Sequence, residues 1–152
     1  DEQNARNIEL IEKALLVLCL DETLPTAFNA RAFLGASPST HYAGDRDETN
    51  MAHEMIHGGG CENNSANRWF DKIVQVIVCN DGAWGLCYEH STSEGIAVVI
   101  LLEKILKKSD EIPSPEESGI TQQHLAPPER LEWTVSPEID ARIKEVRNFV
   151  DR

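Results

Sequence analysis

Apolar positions recur at helical spacing from the start of the chain. Ile8, Ile11, Leu15 and Leu18 fall three or four apart, with Leu10, Ala14 and Val17 widening the stripe, so the pattern predicts a helix over 4–20. The period then fails: residues 21–44 carry Pro25, Gly35, Pro38 and Gly44 and read as a long loop. A second helix is predicted over 46–57. Asp45 and Glu48 have capping-box spacing, and Met51, Met55 and Ile56 give it an apolar side. Gly58, Gly59 and Gly60 end it, because three glycines in a helix cost too much backbone entropy. Ile73, Val74, Val76, Ile77 and Val78 are nearly continuous and predict a strand over 67–79 buried on both faces. Asn80-Asp81-Gly82 is a turn signal, and a second strand over 84–89 completes a hairpin. Ser91 and Glu94 offer a capping box for a helix over 92–108, apolar almost all round and therefore expected in the core, with Lys104, Lys107 and Lys108 suited to its C-terminal end. Residues 109–128 hold Pro113, Pro115, Pro127 and Pro128 and read as a connection; 129–135 read as a short strand. Ser136-Pro137 opens a last helix with Ile139, Ile143, Val146 and Val150 on one face. Strands and helices in this order give an α/β or α+β layered sheet.

At 152 residues the chain has the length of one domain with an ordinary core. Its formal charge of -12 argues against a nucleic-acid or anionic-membrane binder, which needs a basic face. No window reaches the roughly 18 apolar residues of a membrane span. The chain opens on Asp1 and runs straight into a helical pattern, which reads as a piece of a longer polypeptide. Cys19, Cys61, Cys79 and Cys87 form no CxxC pair; buried free thiols in a reducing compartment, the cytoplasm, are the expectation.

Two histidine groups compete for the chemistry. His53-Glu54-Met55-Ile56-His57 fits HExxH, which on a helix would present two imidazoles to zinc and a glutamate to water. The third ligand is missing at the usual spacings: Asn63 and Val76 stand there, leaving only the distant Glu89 or Glu94. Without zinc, the match is a chance one at a helix C-terminal end, where histidine interacts well with the dipole. The second group is Glu89-His90-Ser91, where a strand ends and a helix begins. A helix N-terminus disfavours imidazolium, and a neutral imidazole can take a proton from an alcohol. No GxSxG elbow occurs, so His90 acting directly on substrate is the simpler scheme.

Asn67-Arg68-Trp69-Phe70-Asp71-Lys72, then Asp81-Gly82, Glu89-His90 and Glu94-Gly95 resemble the choline/carnitine acyltransferase signature. Six residues separate Gly82 from Glu89 and three separate His90 from Glu94, in agreement with that signature. His57-Gly58-Gly59-Gly60 upstream, and Arg130-Leu131-Glu132-Trp133 and Ser136-Pro137-Glu138-Ile139 downstream, fit as well. The resemblance implies a chloramphenicol-acetyltransferase-like layered sheet with flanking helices. It makes this chain a partial N-terminal domain, with the extreme N-terminus and a second domain lying elsewhere. It further implies His90 as catalytic base, acetyl-CoA as co-substrate with no tightly held cofactor, and choline as acceptor, with carnitine as the alternative. The missing C-terminal half would complete the site. Glu94 would orient the His90 region or only cap the helix. Glu89 would pair with Arg68, and Arg68 and Asp71 would be framework holding the catalytic strand. Trp69, Phe70 and Trp84 would either face a quaternary ammonium or pack in the core.

Overall fold

The computed structural model describes residues 1–30, 46–92, 94–113 and 126–151. The predicted Asp45 cap, most of the 21–44 loop and the middle of the 109–128 connection lie outside them. The chain divides into two units, Asp1–Glu89 with Trp133–Arg152, and His90–Glu132.

In the first unit, α1 (Glu2–Lys13) starts under an Asp1 cap that accepts from the amides of Gln3 and Asn4. The predicted helix over 4–20 is corrected here: it stops at Lys13, and Val17–Asp21 form strand β1. A short apolar run satisfies either period, and pairing decides: β1 lies parallel to β2 (Val74–Cys79), with Cys19 opposite Ile77 and Asp21 opposite Cys79. Strand β3 (Trp84–Tyr88) pairs antiparallel to β2, giving a three-stranded sheet in the order β1-β2-β3. Gly82 turns this hairpin at φ +85°, its amide bonded to the Cys79 carbonyl at 3.0 Å. The 67–73 part of the predicted strand is instead a 3-10 turn and irregular chain.

β2 is not buried on both faces. Gln75, Ile77 and Cys79 are buried while Val74, Val76 and Val78 are half-buried. On the buried face Cys19, Ile77 and Cys79 form the core, with Val17, Met55, Ala83 and Cys87 packed around them. The opposite face leaves Leu18, Leu20 and Trp84 exposed. Helix α2 (Glu48–Ile56), between β1 and β2 in the chain, is capped by Asp47, which accepts from the Asn50 amide at 3.0 Å. It approaches β3 so closely that a Cβ on Gly85 would lie 2.6 Å from the Met55 sulfur. α2 buries a polar side, Asn50 and Glu54, while Ile56 is exposed. Of the expected apolar side, Met55 packs against the sheet core while Ile56 faces solvent, and the polar pair Asn50 and Glu54 is buried beside it.

Residues 129–135 form no strand. Instead the Asn4 amide donates to the Thr134 carbonyl at 2.8 Å and its oxygen accepts from the Thr134 amide at 2.9 Å, imitating a single ladder rung with a side chain. The last helix of the first unit (Pro137–Val150) starts under Ser136 as expected, its hydroxyl accepting from the Ile139 amide.

The second unit holds α3 (Gly95–Glu111). Its N-cap is Glu94, with no side-chain cap bond, so the expected Ser91/Glu94 capping box does not form. The expectation of a core helix also fails within this unit. Val98 is buried, but Ile96, Val99, Ile100, Leu101, Ile105 and Leu106 are exposed. Among the described residues, His90–Glu132 contains no second helix or strand to cover them.

Candidate functional site

The buried face of the sheet carries charge. Asp21, at the end of β1, receives the Arg68 guanidinium through two parallel bonds, to Oδ1 at 3.1 Å and to Oδ2 at 2.6 Å. Both side chains are fully buried. The same guanidinium donates to the Glu54 carbonyl at 2.7 Å, tying β1 to α2. Burial alone would lower the Arg68 pKa, but the Asp21 carboxylate outweighs it and the net shift is upward. Asn67 adds a bond to Asp21 Oδ1 at 2.8 Å.

The Glu54 carboxyl, 0% exposed, accepts from the Leu24 amide at 3.0 Å, Arg46 at 3.2 Å and Asn64 at 2.8 Å. Burial pushes this carboxyl up and neighbouring Asp21 adds to the rise, against the lowering by the Leu24 amide and Asn64. Arg46 extends the network to Asp81 in the hairpin turn at 2.7 Å. Burial raises Asp81, but the Ala83 amide and Arg46 outweigh it and hold the carboxyl below its ordinary value. All four cysteines are free thiols, and burial pushes Cys19, Cys79 and Cys87 up.

Glu54 thus stands in the buried network, while His53 and His57 line a cleft of about 1060 Å³ bordered also by Phe28, Ile56 and Val150. His53 stacks edgewise on Phe28, with centroids 5.8 Å apart. A glutamate held by three donors cannot activate water beside those imidazoles, so the HExxH segment does not work as a hydrolase motif. The following glycines explain the segment differently. Gly58, Gly59 and Gly60 all have positive φ, and Gly58 bonds back to the His53 and Glu54 carbonyls, closing α2. A Cβ on Gly58 would lie 2.7 Å from the backbone of Asn64 and Ser65. Gly58→Ala is therefore expected to cost at least about 1–3 kcal/mol, since the clash is with backbone and the φ suits only glycine. The thermal midpoint of the full-length variant measures it.

Arg68, which the sequence pointed toward Glu89, forms its buried ion pair with Asp21. Asp71 is exposed at the turn before β2. Phe70 and Trp84 are exposed and Trp69 half-buried, so none is in the core. Glu89 continues the hairpin one rung past β3, its amide bonded to the Ile73 carbonyl at 3.0 Å. His90, the next residue, is at the surface, in the bend His90–Thr92 ahead of the exposed Glu94. With α3 starting at Gly95 and not at 92, the helix terminus lies further from His90 than the sequence suggested. Sequence reasoning missed Asp21, Arg46 and Asn64; a charged residue closing an apolar run was the available signal for Asp21.

Among known proteins, the chain is 65% identical over 152 residues to choline O-acetyltransferase of Drosophila melanogaster, covering all of this chain and 21% of that one. It is 33% identical over 150 residues to carnitine O-acetyltransferase of Homo sapiens, covering 97% of this chain and 21% of that one. It is 34% identical over 143 residues to choline O-acetyltransferase of Gallus gallus, covering 94% of this chain and 20% of that one. The chain therefore spans about a fifth of the length of the curated relatives it matches. The sequence profile described as Choline/Carnitine o-acyltransferase matches residues 1–152. Since that match takes in the entire chain, including the segments around Arg68 and His90, the protein belongs to the choline/carnitine O-acyltransferase family.

Proposed function

We propose that the full-length protein transfers an acetyl group from acetyl-CoA to choline, with His90 as general base. The 65% identity to the Drosophila choline enzyme carries the choice of acceptor, set against 33% for the human carnitine enzyme. The chicken choline enzyme, at 34%, adds no weight for choline over carnitine. His90 removes the choline hydroxyl proton as the oxygen attacks the thioester carbonyl. The tetrahedral adduct expels CoA as thiolate, and the imidazolium returns the proton to sulfur. No covalent acyl-enzyme forms. Exposure of His90 at the end of the hairpin supports this reading, because the base must meet two substrates. In it, the chain is part of a chloramphenicol-acetyltransferase-like N-terminal domain, acts in the cytoplasm, and relies on the remaining polypeptide for most CoA contacts and the oxyanion donors.

A substrate panel on the full-length protein tests it. With acetyl-CoA, kcat/KM for choline is expected to exceed that for carnitine by about tenfold or more. The reverse preference assigns the protein to carnitine acetyl transfer.

A further inference from the structure

We infer that Lys72 is a positioning residue for His90, fixing the point at which the chain leaves the hairpin; this rests on the reading of His90 as base. Lys72 is buried, which is rare for an ammonium without a carboxylate partner. Among the described residues its partners are two backbone carbonyls, Glu12 at 2.8 Å and Ala14 at 2.9 Å. These belong to the C-terminal end of α1, where carbonyls lack helical partners and the dipole is negative. The cation therefore sits where only a fixed geometry offsets its desolvation.

The backbone on either side of Lys72 is fixed as well. Its own amide bonds to the Trp69 carbonyl at 2.9 Å, and the Trp69 amide bonds to the side-chain oxygen of buried Gln75 at 2.7 Å. The next residue, Ile73, accepts the Glu89 amide at 3.0 Å, in the last rung before the chain departs. One residue, one hydrogen bond and one peptide link thus separate the clamped ammonium from His90. Arg68, in the same motif, acts elsewhere, neutralising Asp21 on the buried face of the sheet. Lys72 pairs with no carboxylate among the described residues and holds the mouth of the hairpin against α1. Misplacement of a catalytic base by a fraction of an ångström costs turnover while substrate binding persists.

The test uses the full-length protein. Lys72→Met keeps the stem and removes the donors; Lys72→Arg keeps charge and donors. Lys72→Met is expected to lower kcat by about tenfold or more. KM for choline and acetyl-CoA stays within about twofold, and Lys72→Arg recovers most of the loss. Unchanged kcat in Lys72→Met, with only a lower thermal midpoint, overturns the proposal and leaves Lys72 a plain staple. Should Lys72→Met not fold, Lys72→Gln, which retains one donor group, is held to the same kcat criterion. His90→Ala measured alongside separates the two readings. Full turnover there removes the base and the positioning role together, whereas an inactive His90→Ala beside an unimpaired Lys72→Met removes the positioning role alone.

Discussion

His90→Ala in the full-length protein is expected to lower acetyl transfer to choline by about 10²–10⁴-fold, the usual contribution of a positioned general base. The physical argument lies in the nucleophile. A choline hydroxyl is a poor nucleophile until its proton is accepted, and the same proton must reach the departing CoA sulfur. His90 is exposed, so its truncation opens no cavity in the core. Secondary structure and thermal midpoint are accordingly expected to match the parent. Initial rates with both substrates saturating, beside circular dichroism of the same preparations, make the measurement. Near-normal turnover in a folded variant rejects the base assignment. His90→Gln sharpens the result, because an amide preserves size and hydrogen bonding but cannot shuttle a proton; it is expected to be as inactive as the alanine variant.

The elements that could be read from the sequence are those whose signals are local. The Asn80-Asp81-Gly82 turn, the Ser136-Pro137 helix start and the glycine stop after α2 each depend on a few neighbouring residues, and each stands where expected. β1 was missed because its partner β2 lies more than 50 residues away, and Leu15 to Leu20 satisfies a helical stripe equally well. That error hid the charged half of the site. Once 17–21 is a strand, alternation places Cys19 and Asp21 on one face and Leu18 and Leu20 on the other. Only then does Asp21 emerge as a buried carboxylate in need of the nearest guanidinium. The spacing of Gly82, Glu89, His90 and Glu94 was visible throughout, because a motif needs no tertiary partner. The partner of Arg68 was not, because a buried ion pair depends on the whole packing.

Arg68→Met should produce the largest loss of stability, about 3–5 kcal/mol, the range for removing one partner of a buried ion pair. The two guanidinium bonds to Asp21 and the bond to the Glu54 carbonyl vanish together. What remains is a fully buried Asp21 near the buried Glu54, with Arg46 paired to Glu54 and Asp81. Two carboxylates then share a low-dielectric face of the sheet with too little positive charge. The expected signature is local: hydrogen exchange of the β1 and β2 amides in the full-length protein should accelerate before that of other strands. The pH dependence has a definite sign. Burial already raises the Glu54 carboxyl, and Asp21 adds to it. A carboxyl with a folded-state pKa above its unfolded value binds protons preferentially in the folded state, so stability is gained as pH falls through the folded value and lost as pH rises through it. Removing Arg68 strengthens that preference, and the deficit relative to the parent should shrink as pH falls through the raised folded-state value of Glu54. A deficit that stays constant as pH falls would mean that lost packing of the arginine stem, and not the uncompensated charge, destabilises the variant. The double variant Arg68→Met with Asp21→Leu decides the matter independently, because removing both charges should recover much of the loss.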